Sequence, residues 1–309
     1  MIEAVFAVLA ERLGDRVTRS ASSAEFTTYR CGGPFAVLVR AGTLADLDAL
    51  VAARAQAPGI PVLVVGRGSN LLVADAGFPG IALTLDGEFE TIDVRVDTAE
   101  VEAGGAAPLP VLARRAAAAG VGGLEFLVGI PGSVGGAVRM NAGGHGAEIR
   151  DVLRSARIFD LATGARRTAG PEGLGFGFRT SAVAPTEVVV GARVGGVRAD
   201  PVAAGERIDE IVRWRREHQP GGQNAGSVFR NPPGDAAGRL IDACGLKGRR
   251  VGGVEVSTKH ANFFSAAADA RADDVYALVL EVRERVEAET GVRLEPEVRF
   301  VGFGEGAAP

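Results

Sequence analysis

The chain has 309 residues, 47% hydrophobic and 23% charged, which suits a folded protein of two or three packed units. Its formal net charge of −4 predicts no nucleic-acid partner, and no apolar run approaches the ~18 residues of a membrane-spanning helix. The two cysteines, Cys31 and Cys244, lie far apart without a CxxC partner, and the three histidines lack metal-binding spacing. We therefore expect a reduced, cytoplasmic protein with no metal site and no membrane segment.

Residues 1–90 alternate between helical and strand patterns. The opening MIEAVFAVLAERLGDRV is typical of an amphipathic helix rather than a signal peptide. FAVLVRAG (35–42) predicts a strand, TLADLDALVAARAQ (43–56) predicts a helix that Thr43 can cap, and IPVLVVG (60–66) predicts another strand. This alternation predicts an α/β unit.

Residues 91–200 predict a second unit. TIDVRVD and AEVEAGG alternate with period two and predict strands. APLPVLARRAAAAG (107–120) predicts a helix, with prolines suited to its first turn and Gly120 suited to its end. A hairpin turning at Thr163 and Gly164 and a strand in EVVVGARVGGV complete the unit.

Residues 201–309 predict a third unit. ERIDEIVRWRREH (206–218) has helical spacing, and a second helix is expected between Asp235 and Gly245. The clearest helix is ADDVYALVLEVRERVEAETG, which Gly291 ends. The closing VRLEPEVRFVG alternates apolar and polar residues and predicts a strand.

Glycine is unusually frequent, with 44 residues against the usual share of ~7%. It clusters in VGRGSN (65–70), GIPGSVGG (129–136) and MNAGGHGAE (140–148). Such loops let backbone N–H groups approach a phosphate closely. VGRGSN lacks the third glycine of a dinucleotide fingerprint, GIPGSVGG lacks the spacing of a nucleophile elbow, and the chain has no P-loop. Each loop alone is more often a structural turn, but three together favour a large phosphate-bearing ligand.

Six strings in order carry a resemblance to a known family: GRGSNLLV, GLEFLVGIPGSVGGAVRMNAGGHGAEI, FGFRTS, NAGSVFRNP, AGRLIDACGLKG and LEPEVRFVG. Together they resemble the UDP-N-acetylenolpyruvoylglucosamine reductases, from about Tyr29 to Gly302. The resemblance implies an α+β fold, with a two-subdomain FAD-binding part of the vanillyl-alcohol oxidase type over 1–90 and 91–200. An α+β substrate-binding domain would follow over 201–309, and its last strand could return to the FAD-binding part.

The resemblance also implies an activity. A bound FAD and the co-substrate NADPH would reduce UDP-N-acetylglucosamine enolpyruvate to UDP-N-acetylmuramate in peptidoglycan precursor synthesis. FRTS is followed quickly by ARVGGV, without the insertion of the longer enzymes, so the chain resembles the shorter type II subclass. The phosphate-gripping tyrosine of the longer enzymes then has no counterpart that we can name. We expect a monomer.

By the same resemblance, three catalytic positions fall on Arg179, Ser227 and Glu297. The serine would protonate the substrate carbon, while the arginine and the glutamate would stabilise an enolate-like intermediate. The implied cofactor contacts are Gly66, Arg67, Gly68, Ser69, Asn70, Leu71, Gly129, Ile130, Pro131, Gly132, Ser133, Gly135, Gly136, Asn141, Ala142 and Gly143. The candidate substrate contacts are Arg215, Arg216, His218 and Asn231.

The residues themselves fit this chemistry but leave alternatives open. Reducing an enol ether that bears a carboxylate needs a cation near the carboxylate, a proton donor near the carbon and a cavity that excludes water. Equally, Ser227 after Gly226 could be a plain turn, Arg179 a surface arginine stacked on phenylalanine, and Glu297 part of a solvated strand face. Two other functions stay open: a flavin oxidase of the same fold, and a nucleotide-sugar-binding module without redox activity.

Overall fold

The structure is a computed structural model that describes residues 1–304. The chain divides into two units that each draw on separate stretches of sequence. The first unit comprises Met1–Arg19, Val37–Arg67 and Gly80–Arg215, and the second comprises Ser20–Ala36, Gly68–Pro79 and the chain from Arg216 onward. The division into 1–90, 91–200 and 201–309 stays a prediction.

Helices and short strands alternate along the described residues. The α-helices are α1 (Ile2–Leu13), α2 (Leu44–Arg54), α3 (Leu109–Ala118), α4 (Val134–Met140), α5 (Ile149–Val152), α6 (Pro201–His218), α7 (Ala237–Ala243) and α8 (Ala272–Thr290). The strands are β1 (Val17–Ser22), β2 (Pro34–Ala41), β3 (Val62–Val64), β4 (Leu71–Val73), β5 (Phe78–Leu85), β6 (Ile92–Arg95), β7 (Glu100–Gly104), β8 (Val121–Gly122), β9 (Gly143–Gly144), β10 (Ala147–Glu148), β11 (Leu153–Asp160), β12 (Arg166–Ala169), β13 (Glu187–Gly195), β14 (Val197–Arg198), β15 (Arg250–Val251), β16 (Val254–Val256), β17 (Phe264–Ala266) and β18 (Arg299–Val301).

The first unit contains two hydrophobic cores. Its five-stranded antiparallel sheet has the order β12-β11-β13-β7-β6. One core contains buried residues of this sheet and of the helices on it, such as Leu112 of α3 and Val138 of α4. The other contains Leu50 of α2, Ile81 of β5 and Phe159 of β11, together with residues of the sheet β1-β2-β5-β3.

The second unit packs around α8. Buried residues on one face of this helix, including Leu278 and Val282, share a core with Ile241 of α7 and Phe264 of β17. β15, β16 and β17 form an antiparallel sheet, and β18 pairs in parallel with β4. The β18–β4 pairing joins the end of the described chain to a strand more than two hundred residues earlier, so it fixes the segment that contains Glu297.

Local signals in the sequence placed most helix ends correctly. Thr43 caps α2 and forms a capping box with Asp46: Thr43 Oγ1 accepts the Asp46 N–H at 3.2 Å, and the Asp46 carboxylate accepts the Thr43 N–H at 3.0 Å. α3 has a proline in its first turn, and Gly291 ends α8 with φ 73°. These predictions are confirmed, as is the hairpin of β11 and β12.

The structure differs from the sequence prediction in the bounds of some elements. α6 begins at Pro201, earlier than the predicted start, and α7 begins at Ala237 rather than at Asp235. The last predicted strand is shorter than expected, because ladder pairing begins only at Arg299. Upstream of it, Pro296 forms a single bridge with Phe229, since proline has no N–H to continue a ladder.

Both cysteines are free thiols. Cys31 is 7% exposed, and burial, with Asp75 and Asp274 nearby, raises the pKa of its thiol to about 12. It is therefore a protonated, small apolar residue of the second core. Among residues 1–304, no helix combines the length and the apolar character that crossing a bilayer requires.

Candidate active site

Two of the glycine loops predicted to hold a cofactor meet inside the first unit. A Cβ built on Gly66 would lie 2.9 Å from Ser133 Oγ, so the backbone of the first loop lies against the second. Gly66 and Arg67 are exposed, and their backbone N–H groups donate to no acceptor within residues 1–304. Adjacent unused N–H groups form the kind of nest that binds an anion. The meeting point of these loops can therefore take a phosphate.

The second glycine loop ends in a helix that the sequence analysis missed. Ser133 is 3% exposed and caps α4, because its Oγ accepts the Gly136 N–H at 3.4 Å. Ile130, Pro131 and Gly132 form the turn before it, where the Gly132 N–H donates to the Ile130 carbonyl at 2.8 Å. The serine was the available signal, but two glycines in the first turn of α4 obscured it, since glycine is a poor helix former.

Gly135, in the same loop, has a packing role. Its N–H donates to the Gly105 carbonyl at 2.8 Å, and a Cβ built on it would lie 2.9 Å from the Val189 carbonyl oxygen. Any larger residue would push α4 away from the sheet. The absence of a side chain is explained here by close approach of chain segments.

Asn141 braces the third glycine loop from inside. It is fully buried, with φ 41°, and its Nδ2 donates to Glu148 Oε2 at 2.9 Å and to the Gly177 carbonyl at 3.0 Å. Its Oδ1 accepts the Arg150 N–H at 3.1 Å. Both ends of the amide are thus bonded within the protein, so Asn141 holds the loop in shape.

Arg179 is joined to this loop. Its Nη2 donates to the Gly143 carbonyl at 3.1 Å, next to Ala142, and its Cζ lies 5.2 Å from the centre of the Phe178 ring. Arg179 also has φ 55°, a left-handed conformation that is strained for a residue with a side chain. Phe178 is 52% exposed. The stacked arginine expected from the sequence is therefore present, and it is held at a fixed place beside the loop.

His145 ties the second loop to the third, a role that sequence reasoning missed. A Cβ built on Gly129 would lie 2.8 Å from His145 Cδ2, and the His145 ring meets Trp214 edge-on at 5.2 Å. Burial, with Arg215 and Arg207 nearby, lowers the pKa of His145. Burial also lowers the pKa of Arg215. The neutral imidazole thus fills the space between the loops.

Ser227 lies in the second unit, just after a sharp turn. Gly226 has φ 74°, and its N–H donates to Asn224 Oδ1 at 3.0 Å, which closes the turn. Ser227 then forms a bridge with Phe263, where an extended segment begins. The turn expected from the sequence is present, and it sets the serine at the start of a strand-like stretch.

Glu297 is hydrogen-bonded to the segment that starts at Ser227. The Glu297 N–H donates to the Val228 carbonyl at 2.7 Å, and the Arg230 N–H donates to the Glu295 carbonyl at 2.9 Å. On the other side, Asn70 Nδ2 donates to the Glu297 carbonyl at 3.0 Å. The second unit thus brings together the segments of two predicted catalytic residues and one predicted cofactor contact.

The neighbours of Asn70 are held by their own backbone contacts. A Cβ built on Gly68 would lie 1.9 Å from the Phe26 carbonyl oxygen, and the Thr28 N–H donates to the Gly68 carbonyl at 3.2 Å. Ser69 is half-buried, and Leu71 is a buried residue of β4 that pairs with β18. This part of the first glycine loop is therefore packed tightly against residues 26–28.

Three of the candidate substrate contacts, Arg216, His218 and Asn231, lie in the second unit. Asn231 Oδ1 accepts the Ala237 N–H at 3.1 Å and so caps the start of α7. The Arg216 carbonyl accepts a hydrogen bond from Lys259 Nζ, and the side chains of Arg216 and His218 are exposed. The side chains of Arg216 and His218 are therefore accessible to a ligand.

Two family models match the chain. Residues 35–170 match the model described as an FAD binding domain. Residues 218–301 match the model described as the C-terminal domain of UDP-N-acetylenolpyruvoylglucosamine reductase. The second match contains both Ser227 and Glu297.

Curated relatives and a solved structure match nearly the whole chain. UDP-N-acetylenolpyruvoylglucosamine reductase of Paramagnetospirillum magneticum is 45% identical over 298 residues, 96% of this chain and 95% of the relative. The protein of the same name from Nitrobacter winogradskyi is 41% identical over 94% of this chain and 95% of the relative. The crystal structure of UDP-N-acetylenolpyruvylglucosamine reductase from Thermus caldophilus aligns with TM-score 0.80 and 40% identity, over 93% of this chain and 99% of that chain. The predicted fold class is confirmed.

Proposed function

The chain belongs to the UDP-N-acetylenolpyruvoylglucosamine reductase family and is an FAD-dependent oxidoreductase, and we propose that it uses NADPH to reduce UDP-N-acetylglucosamine enolpyruvate to UDP-N-acetylmuramate. This is the reduction step in peptidoglycan precursor synthesis. The observation that carries the function is the 45% identity over 96% of the chain. The match to the C-terminal domain of the reductases disfavours an oxidase, and the FAD-binding match disfavours a module without redox activity.

The glycine loops fit FAD. The unused N–H groups of Gly66 and Arg67 can donate to a phosphate of the cofactor, and the contact of Gly66 with Ser133 places the second loop beside them. We propose that these two loops, with residues 68–71 and the loop of Asn141 to Gly143, hold FAD. When bound, FAD supplies hydride transfer, and the protein orients the reacting groups and provides their electrostatic environment.

Ser227 is proposed to donate the proton that completes the reduction. A serine hydroxyl is a weak acid, but an enolate-like carbon beside it is a strong base, so transfer from Oγ to that carbon is favourable. Apart from its two chain neighbours, no atom of the described residues would lie within 4 Å of a Cβ built on Gly226, so there is open space at the residue before the serine. A bulky substrate can therefore approach Ser227 closely.

Glu297 is proposed to orient the reacting groups. Its backbone is bonded on one side to Val228 and on the other to Asn70, which fixes the root of its side chain. A carboxylate fixed in this way can polarise the substrate carboxyl through a water molecule or order the proton-donor network. Its role rests on this placement and on the family match.

Arg179 is proposed to bind the substrate carboxylate. A guanidinium binds a carboxylate through two parallel hydrogen bonds and stabilises the charge that develops on it. The contacts with Gly143 and Phe178 limit the motion of the side chain, so less freedom is lost when the substrate binds.

Replacing Arg179 with lysine should lower kcat/KM for the enolpyruvate substrate by ~10²-fold, since lysine offers a point charge in place of a planar pair of donors. Steady-state kinetics with NADPH in excess would measure this. Arg167→Lys is the matched control. Arg167 binds the Glu187 carboxylate through two hydrogen bonds, at 2.7 and 3.0 Å, as Arg179 is proposed to bind the substrate carboxylate. Arg167 lies outside the glycine loops and outside the segment of Ser227. Equal losses in both variants would contradict a specific role for Arg179.

We propose that Arg215, Arg216, His218 and Asn231 contact the rest of the substrate. Basic side chains match the charge of a pyrophosphate. Asn231 uses its Oδ1 to cap α7, so its amide NH₂ is the group that would contact the ligand.

We also propose that the protein is a monomer and that it works in the cytoplasm, since free thiols fit a reducing compartment. Light scattering of the purified protein tests the monomer.

The function is tested by NADPH consumption in the purified, FAD-supplemented protein, with and without UDP-N-acetylglucosamine enolpyruvate. Consumption that requires the substrate is expected. Consumption without it, with electrons passing to oxygen, would instead indicate an oxidase. A protein that binds no flavin and consumes no NADPH would be a binding module.

A further inference from the structure

Asn262 is a buried polar residue that no step of the proposed chemistry uses. It is 3% exposed, and its side chain forms hydrogen bonds with the backbone of a single residue, Phe229. The Phe229 N–H donates to Asn262 Oδ1 at 2.9 Å, and Asn262 Nδ2 donates to the Phe229 carbonyl at 2.8 Å. Both ends of the amide are therefore bonded to a residue that stands two positions after Ser227.

The backbone of Asn262 holds the same segment. The Val228 N–H donates to the Asn262 carbonyl at 2.8 Å, and Ser227, the residue before Val228, forms an antiparallel bridge with Phe263, the residue after Asn262. These backbone contacts and the two side-chain hydrogen bonds to Phe229 together bind residues 227–229 along the edge that faces Asn262. The pairing resembles a strand ladder in which a side-chain amide replaces one pair of backbone groups.

The backbone that carries the Asn262 side chain is held in a closed turn. The Asn262 backbone N–H donates to His260 Nδ1 at 3.3 Å, and Ser257 Oγ accepts the N–H groups of Lys259 at 3.2 Å and His260 at 3.4 Å. These bonds close the turn that carries Asn262. The backbone position from which the amide reaches Phe229 is therefore fixed.

The opposite edge of the segment is bound to the segment that contains Glu297, through the Glu297 N–H and the Val228 carbonyl. Before the segment, Gly226 has φ 74° and open space around it, so the chain is permissive there. The bonds after Ser227 therefore act together with the turn before it to set the position of the serine. A misplacement of about 1 Å in a reacting group can cost about 10²-fold in rate.

We propose that Asn262 is a positioning residue for Ser227, which clamps Phe229 so that the serine hydroxyl is held where it can deliver its proton. The inference rests on the proposed role of Ser227 as proton donor. The asparagine side chain fits this role because its amide offers an acceptor to the Phe229 N–H and a donor to the Phe229 carbonyl.

Asn262→Asp is the sharpest test, because it keeps the shape and the acceptor of the side chain but replaces the donor with an oxygen. We expect unchanged FAD content and unchanged reduction of the bound flavin by NADPH in stopped-flow measurements. Reoxidation of the reduced enzyme by UDP-N-acetylglucosamine enolpyruvate should slow by ~10²-fold. Lower pH should restore part of this rate, since the introduced carboxyl, once protonated, can donate to the Phe229 carbonyl as the amide did.

Two further variants keep the test decisive. Asn262→Ala removes both bonds and should speed amide hydrogen exchange at Phe229, a readout that does not depend on activity. Val282→Ala truncates a fully buried residue of α8 in the same core, so it should lower stability by an amount similar to Asn262→Ala. It leaves the hydrogen bonds of residues 227–229 in place. It should not slow reoxidation selectively.

The outcomes separate this inference from the proposed function. Slow reoxidation in Ser227→Ala but normal reoxidation in Asn262→Asp would overturn the positioning role alone. Equal slowing of both half-reactions in the Asn262 variants, or the same pattern in Val282→Ala, would also overturn it. Normal turnover in Ser227→Ala would remove the proton donor and the inference with it. If the inference holds, Asn262→Asp adds no further loss in a Ser227→Ala background.

Discussion

Ser227→Ala should retain bound FAD and its reduction by NADPH, while reoxidation by UDP-N-acetylglucosamine enolpyruvate slows by ~10² to 10⁴-fold. The change removes the proposed proton donor but leaves the backbone bonds of Val228 and Phe229 in place. Charge that builds on the substrate carbon would then have to take its proton from a water molecule held in no fixed position. Stopped-flow flavin absorbance separates the two half-reactions.

Ser227→Cys is the informative companion to this variant. Its thiol is a short side chain that carries a transferable proton, so this variant should recover part of the rate that Ser227→Ala loses. Flavin content after purification serves as the internal control, since Ser227 lies outside the glycine loops. Near-normal turnover in Ser227→Ala would assign the proton to another donor. Loss of flavin in the same variant would instead mean that Ser227 supports the fold.

Interactions between residues close in sequence were predicted well. Thr43 caps α2 as expected, and it also forms a capping box with Asp46, three residues later, because such a box needs only one turn of helix. Gly291 ends α8 for a similar reason, since glycine adopts a positive φ without strain. Signals of this kind are independent of the rest of the molecule, so the sequence alone reveals them.

The arrangement of the site depends on pairings between distant parts of the chain, which no local pattern encodes. Ser227 and Glu297 were named through a family resemblance, but the hydrogen bond between Val228 and Glu297 that joins their segments spans about seventy residues. Asn262 was not singled out at all. Its signal is an asparagine within an apolar stretch, HANFF, and a buried asparagine implies partners without identifying them.

A side chain at position 68 is expected to be harmful from the sequence and from the structure, but for different physical reasons. In the sequence, this glycine suggests a place where the backbone must approach a phosphate. In the structure, the close approach is to the chain itself, since a Cβ would lie 1.9 Å from the Phe26 carbonyl oxygen and 2.6 Å from Thr27 Cα. Those are backbone atoms, which cannot rotate aside as the end of a side chain can. The segment around them must shift instead.

Gly68→Ala should therefore lower the stability of the protein and its content of bound FAD together. The φ of 61° adds ~1 to 2 kcal/mol of strain for a residue with a side chain, and overpacking adds a further ~1 to 3 kcal/mol. Displacing Gly68 would also displace Asn70, two residues later, from its bond to the Glu297 carbonyl. Flavin absorbance of the purified protein and thermal unfolding measure both effects.

Gly291→Ala separates the two causes. Gly291 also belongs to the second unit and has φ 73°, but a Cβ there would meet no atom of residues 1–304 within 4 Å. This variant carries the backbone strain without the collision, so it should lose a little stability and keep its flavin. If Gly68→Ala behaves like Gly291→Ala, the packing of the loop against Phe26 is not what holds the cofactor. If it loses flavin while Gly291→Ala does not, the shape of that loop is a condition for binding FAD.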